Sequence, residues 1–280
     1  MFTELYNFIL YDPTQISSIQ MNLSNFVYEK STGLSVPEIT RFFEHSPYQH
    51  GAFDRGFLLQ PRMLTFKLLV RATTPTEFYA RRKTVIDVLR PAVNNLPGQL
   101  RITLPDATVW KINVFTTKAP IFTPKDALTE EVEFTLVAPD PVWTKVVSVA
   151  YLTFLQADIG TSKILTYTGG WITIPYPFSI KGPLVHPIIQ NLTASTKIDL
   201  NYSVPDNTTV LIDLRYGYKT ILQDTTNLLQ YLSSDSDLED FYWLPDPDAT
   251  NGNNTISVAG TGTSSNTTVK LGWTPVKIGL

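Results

Sequence analysis

The chain reads as a mainly β protein with one α-helix in its first half, and three observations lead there. Segment after segment alternates apolar and polar side chains with a period of two, the mark of strands with one face in a core and one in water. A single stretch, Thr74 to Pro91, carries the start, the 3.6-residue stripe and the stop of a helix. Proline is plentiful, 20 of 280 residues, and punctuates the alternating runs as turns.

The length of 280 residues suits about two domains of ordinary size, and one large sandwich also fits. A hydrophobic fraction of 43% with 12% aromatics is that of a folded chain. Charged residues make up only 17%, against roughly 25% in typical soluble proteins, a balance that suits wide contact surfaces. The formal net charge of −3 offers phosphates no basic face, so nucleic acid is not an expected partner. With no cysteine there is no disulfide framework, thiolate nucleophile or cysteine metal site. Met1-Phe2-Thr3-Glu4 lacks the basic and apolar regions of a signal peptide. No run approaches the ~20 apolar residues of a membrane span. Synthesis and folding in the cytosol, with no membrane partner, is the expectation.

In chain order, Ser31 to Leu58 comes first and has no clear period, but contains Gly33, Pro37, Pro47, Gly51 and Gly56. It is expected to be a long excursion from the core with a binding role. The strand Leu64 to Arg71 follows, with Leu64, Phe66, Leu68 and Val70 on one face and Thr65, Lys67 and Arg71 on the other. Thr74 and Glu77 then make a capping-box pair, and Pro75 takes the first helical position, where its missing N–H costs nothing. Phe78, Val85, Ile86 and Leu89 form the apolar stripe, Arg81, Arg82 and Lys83 lie off it, and Pro91 ends a helix spanning 75–90. Leu100 to Leu104 and Asp106 to Phe115 are strands joined through the turn-type Pro105-Asp106-Ala107. Glu131 to Val137 alternates most cleanly, with Val132, Phe134 and Leu136 inward. These strands predict an antiparallel sheet with one wet face.

Ala138-Pro139-Asp140-Pro141-Val142-Trp143 ends that strand, since proline lacks the N–H a ladder needs. The first domain is therefore placed at 1–143, and 144–170 reads as a connection with one or two strands of its own. From 171 to 280 the strands shorten: Trp171 to Lys181, His186 to Leu192, Thr196 to Tyr202, Thr208 to Tyr218, Asn254 to Ala259 and Thr267 to Trp273. Their spacing predicts a sandwich or jelly roll with Greek-key connections. Leu228, Leu229, Tyr231 and Leu232 suggest a short helix, and Asn251-Gly252-Asn253 and Gly260-Thr261-Gly262 are turns.

No pattern nominates an enzyme. His45 and His50 share a loop with Glu44 and Asp54, a set suited to a metal or acid–base site, but locally hydrogen-bonded loop histidines account for them more simply. His186 precedes Pro187 at a strand start and reads as structural. The run from Asp235 to Asp240 alternates carboxylates as a calcium loop does, yet has no glycine at its sixth position and no glutamate at its twelfth. No nucleophile elbow, P-loop or dinucleotide fingerprint is present, and no carboxylate pair stands out as a glycosidase's would. No catalytic residue, metal or cofactor is expected. The six Asn-x-Ser/Thr matches, Asn22 and Asn207 among them, carry little weight in a chain this rich in Asn and Thr.

Two features mark candidate binding surfaces. Arg71, Arg81, Arg82, Lys83 and Arg90 gather positive charge on and beside the helix, while Glu130, Glu131 and Glu133 gather negative charge on one strand. In a ring of subunits these would meet across neighbours and set register; two ordinary solvated faces are the plainer alternative. Among the aromatics of the second half, Trp171, Tyr216, Tyr218 and Trp243 are candidate carbohydrate-stacking platforms, although most aromatics in such a domain are core.

Taken together, the chain resembles the distal tail protein family of long-tailed bacteriophages. In the first half the resemblance rests on Ser46-Pro47-Tyr48-Gln49-His50-Gly51-Ala52-Phe53-Asp54, the strand Arg62 to Arg71, the helix Glu77 to Pro91 with Arg82 and Leu89, and the exit Ala138 to Trp143. In the second it rests on Ile212 to Thr220, Tyr231 to Leu238 and the ending Gly272 to Gly279. The resemblance implies two β-sandwich domains, the first with a helix packed on its sheet and an arm that clasps a neighbour, the second galectin-like. It further implies a hexameric ring at the distal end of the virion tail. Such a ring joins the tail tube protein to the tail tip or baseplate hub protein, and in some members docks receptor-binding or side-fibre proteins. Ser31 to Leu58 is the candidate arm; its His50 and Asp54 join Arg71, Arg81, Arg82, Glu131 and Glu133 as candidate inter-subunit contacts. The alternative from the residues is an adhesin that binds host-surface carbohydrate through the second domain.

Overall fold

The computed structural model describes residues 7–21, 25–45, 50–92 and 94–280. Met1 to Glu4, the Asn22 sequon and Ser46 to Gln49 of the resemblance motif, Pro47 included, lie outside the described residues. Two compact units emerge, Met1–Val146 with Lys277–Leu280, and Val147–Val276.

The first unit contains β1 (Asn7–Tyr11), β2 (Ser18–Gln20), β3 (Phe26–Thr32), β4 (Ile39–Glu44), β5 (Phe53–Leu59), β6 (Arg62–Arg71), α1 (Pro75–Leu89), β7 (Gly98–Thr103), β8 (Val109–Thr116), β9 (Ile121–Asp126), β10 (Thr129–Ala138) and β11 (Trp143–Lys145). Its main path runs β2-β1-β7-β8-β10-β6-β3, with β9 beside β10 and β11 beside β8. Strand β8 makes the corner. Its middle pairs with β11 at Lys111↔Thr144, while its end pairs with β10 at Thr116↔Leu136. The two halves of the path therefore face each other across a core, where Phe8 of β1 stacks on Tyr28 of β3 at 5.0 Å and meets Phe66 of β6 edge-on at 5.5 Å.

The predicted alternation is what builds this core. β6 buries every second residue from Arg62 to Val70, β10 does so from Glu130 to Ala138, and the two align with Phe66 opposite Phe134, rings stacked at 5.6 Å. Helix α1 begins as expected, with the Glu77 N–H donating to Thr74 Oγ1 at 3.3 Å and Pro75 leading the first turn. The Glu77 carboxylate, however, accepts from the N–H and hydroxyl of Thr73, one residue earlier than a capping box has it. The buried stripe is Val85, Val88 and Leu89; Ile86, expected on it, is 46% exposed, because it is turned about 100° from Val85 around the axis.

The second unit contains β12 (Ala150–Leu155), β13 (Ser162–Thr166), β14 (Phe178–Lys181), β15 (Leu184–Asn191), β16 (Thr196–Asp199), β17 (Ser203–Val204), β18 (Thr209–Asp213), β19 (Thr220–Gln223), β20 (Thr226–Asn227), β21 (Asn253–Thr261) and β22 (Thr268–Trp273). One sheet orders β12-β22-β14-β18-β19-β20 and the other β13-β21-β15-β16, with β17 on β15; all pairings are antiparallel, giving a β-sandwich. Residues 144–170, expected as a connection, supply β11, β12 and β13. The strand expected from Trp171 begins only at Phe178, since Pro175 and Pro177 remove ladder donors. The expected short helix is a 3₁₀ turn at Leu229–Tyr231. Two buried asparagines pin the long connection before β21: Asn254 exchanges hydrogen bonds with the Leu244 backbone at 2.9 Å in each direction, and Asn191 Nδ2 donates to Tyr242 O. Among the described residues no helix is long and apolar enough to cross a membrane.

Candidate functional site

The described residues of the excursion between β3 and β6 form a two-stranded ribbon. Among the described residues β4 and β5 pair with each other and with no other strand, in the register Ile39↔Leu59 to Glu44↔Phe53, with a bulge between Arg41 and Phe43. An isolated two-stranded ribbon is marginal in water. Here it also exposes six large apolar side chains, Ile39, Phe42, Phe43, Phe53, Phe57 and Leu58, each between 41% and 58% accessible. Apolar area concentrated in this way marks a surface built to be covered. Polar contacts set the ribbon's conformation. Arg41 pairs with Asp54 and lies 5.7 Å over the Phe57 ring, Arg55 pairs with Glu44, and Gly56, inside β5 at the register shift of the ribbon, takes a positive φ of 103° that glycine accommodates.

The root of this arm is tied to its unit by one cation. Arg62 is 1% exposed, and its guanidinium donates to the carbonyls of Gly33, Ser35, Pro141 and Ile278, those of Gly33 and Pro141 at 2.7 and 2.9 Å. A planar fork of N–H groups suits several converging carbonyls as an ammonium does not. Burial draws its pKa down to about 10, so it remains a cation at neutral pH. The fork gathers the arm's entry, the exit Ala138 to Trp143 and the C-terminal residues onto one side chain. Gly33 shares in this; its φ is 87°, and a Cβ there would run into the Met63 carbonyl.

The candidate charges are largely engaged within the chain. Glu131 accepts Lys67 Nζ at 2.8 Å and Lys125 Nζ at 2.9 Å, and the hydrogen bond from Lys67, followed by that from Lys125, holds its carboxyl below the ordinary range. Buried Glu130 has Arg82 Nε at 3.6 Å, and the same guanidinium lies 4.7 Å over the Phe122 ring. Arg81 pairs with Glu77 and donates to the Arg71 carbonyl. Arg71 and Glu133 are exposed, as are His50 and Asp54 on the arm.

The histidines do not converge on a site. His45 Nδ1 is 3.2 Å from Gly51 O, and His186, far along the chain, sits 2.8 Å from Asp199. Among the described residues no three His, Asp or Glu side chains are grouped to hold a metal ion. Asp235, in the calcium-loop-like run, accepts from Lys197 and Ser233.

The four stacking candidates separate. Trp243 is fully buried against Phe241, their rings 5.6 Å apart, so it presents no face to a sugar and leaves the set. Trp171 is half-buried, its carbonyl accepting from the Tyr167 hydroxyl at 2.8 Å. Tyr216 and Tyr218 stand 92% and 63% exposed on the β18–β19 turn, where Gly217 has φ 81°. Arg215 braces that turn: it pairs with Asp213 at 2.7 Å and lies over the rings of Tyr176 at 3.5 Å and Tyr218 at 4.5 Å.

With both units described, the chain has a counterpart among solved structures. The SPP1 Dit protein, described as a paradigm of the hub adsorption apparatus in phages infecting Gram-positive bacteria, aligns over 98% of this chain and 99% of its own at a TM-score of 0.64 and 14% identity. The fold is shared with a phage hub protein. The phage p2 baseplate in its activated conformation with strontium aligns over 96% of this chain and 98% of that one, at a TM-score of 0.43 and 11% identity. No protein-family model matches the chain, nor does any curated protein.

Two features of this chain escape a reading of the sequence as core and surface. Arg62 and Glu130 carry charge at inward positions, in phase with Leu64-Phe66-Leu68 and with Val132-Phe134-Leu136. That phase was the available signal. The apolar residues of β4 and β5 lie on both faces of the ribbon and include the adjacent Phe42 and Phe43, so a period-two search passes over them.

Proposed function

We propose that the protein is a structural hub of a phage tail, of the distal tail protein kind. It forms a ring, six-membered by analogy, that connects the tail tube protein to the tail tip or baseplate hub protein and to the receptor-binding apparatus. It acts at the distal end of the virion tail after synthesis in the host cytoplasm. The end-to-end correspondence of fold with the SPP1 Dit protein carries this reading, and the exposed apolar arm supports it. A ring needs heterologous contacts that close by rotation, and an arm reaching from each subunit to the next supplies one. On this reading the arm's apolar faces are the first inter-subunit contact, with His50, Asp54, Arg71 and Glu133 as polar neighbours.

The purified full-length protein gives a closed ring by light scattering and negative-stain imaging if the reading holds. A monomer at all concentrations, with no association on addition of tail tube protein, overturns it. A second reading, an adhesin that binds surface carbohydrate through the second unit, is favoured by the exposure of Tyr216 and Tyr218 on a braced turn.

A further inference from the structure

The second unit holds a cleft whose lining does not include Tyr216 or Tyr218, and the inference drawn from it deepens the second reading, carbohydrate binding by this unit, and rests on it. It measures about 280 Å³ and is lined by His186, Asp199, Asn201, Gln230, Tyr231, Leu232 and Ser233. That lies at the small end of ligand pockets, which run roughly 300–1,000 Å³, so it suits one ring-sized group. Three independent features distinguish it from an ordinary surface hollow.

First, the backbone is strained to aim one side chain. The β15–β21 register shifts between Val185 and Ile188, and within that bulge His186 adopts a φ of 51°, in the left-handed region that is uncommon for residues other than glycine. Strain of this kind persists only where the surroundings over-determine it. Here the His186 N–H donates to Tyr202 O at 3.0 Å, and Nε2 is held 2.8 Å from the carboxylate of Asp199, itself 9% exposed. Second, the opposite wall is fastened to the same segment. Asn201 N–H donates to Tyr231 O at 2.8 Å, Ser233 N–H to Asp199 O at 2.9 Å, and the Tyr231 ring packs 5.1 Å from that of Tyr202. Third, the polar groups that line the opening are left over. Among the described residues, the exposed side-chain carboxamides of Asn201 and Gln230 have no hydrogen-bond partner.

Each carboxamide offers a donor and an acceptor side by side, the arrangement that meets vicinal hydroxyls. Asp199 is already answered by His186 and by Lys197 Nζ at 3.8 Å, so the cleft does not call for an ion. The exposed part of Tyr231 and Leu232 adds an apolar patch for the C–H face of a ring. We infer that this cleft binds a neutral polyhydroxylated ligand, a single sugar residue, either free or at the end of a surface glycan. The inference does not depend on ring formation, because the cleft is complete within one chain.

Saturation-transfer NMR on the full-length protein tests it, with glucose, galactose, rhamnose and N-acetylglucosamine as probes and short oligosaccharides ending in each. At least one sugar receives saturation from the native protein. Asn201→Ala and Gln230→Ala, at exposed positions that leave the thermal midpoint unchanged, each weaken its binding by about tenfold, the scale of one lost hydrogen bond. Tyr216→Ser leaves binding intact. If the monosaccharide competes with its oligosaccharide, the cleft reads the single unit; if only the oligosaccharide binds, it reads a chain end. No saturation of any probe overturns the inference, and so does binding that survives both carboxamide variants or is lost in Tyr216→Ser, which would place it on the tyrosine turn.

Discussion

Replacing two arm residues weakens assembly while leaving the subunit's own stability intact. Phe43 and Leu58 are 57% and 58% exposed, so more than half of each side chain has yet to leave water. Fully burying such a residue is worth about 1.5–3 kcal/mol, which leaves about 1–1.5 kcal/mol per residue to be gained at an interface. Phe43→Ser combined with Leu58→Ser therefore removes about 2–3 kcal/mol from each subunit contact, or about 30–150-fold in dissociation constant. Among the described residues the ribbon pairs with no other strand, so the change in chemical-denaturation stability at low concentration stays within about 0.5 kcal/mol. Sedimentation velocity over a dilution series of native and variant protein measures both species. An unchanged concentration dependence refutes the argument, because the arm's apolar area would then not be buried on association. So does a loss of about 2 kcal/mol or more in the variant subunit, because those side chains would then be packing within their own chain.

Three further expectations rest on the first unit. Arg62→Met removes the fork and leaves four carbonyls facing an apolar side chain; at about 1–3 kcal/mol for each group that water does not reach, denaturation shows a loss of about 3–5 kcal/mol, with Arg62→Lys intermediate. Glu131→Gln has a pH-dependent effect: the native carboxyl is held below its ordinary value of 4.5 by Lys67 and Lys125, so its stabilisation is present above that value and lost as pH falls through the lowered one. Native and variant melting curves therefore differ at pH 7 and converge in acid, and a gap that persists in acid contradicts the pairing. Finally, the proposed ring tolerates salt: light scattering between about 0.05 and 0.5 M NaCl, where the Debye length shrinks from about 14 to 4 Å, shows no dissociation. Dissociation over that range would assign the contact to ion pairs.

The period-two rows of β6 and β10 were legible because their partner is a core: one face meets apolar neighbours, the other water, and the alternation records that difference residue by residue. Where a segment's partner is another chain, the same logic erases the signal. The ribbon of β4 and β5 has apolar residues on both faces and a bulge at Phe42, a pattern that no single-chain core would impose. Its want of periodicity is therefore informative, since among the described residues none of the six exposed hydrophobic side chains packs against the unit's core cluster. The aromatics of the second unit differ in another way. Trp243 and Tyr218 both lie outside the long strands; a bridge to distant Thr173 and the packing of Phe241 draw the Trp243 ring inward, while the local pair Gly217 and Arg215 holds Tyr218 out, and only the bridge is beyond a local reading of sequence.

The charges complete the argument. Arg82, Glu130, Lys67, Glu131 and Lys125 answer one another across α1, β6, β9 and β10 of a single unit, so the electrostatic contrast that looked suited to joining subunits is mostly satisfied before subunits meet. Six exposed large apolar side chains lie together on the arm, and on the proposed reading that is where the free energy of association should be sought.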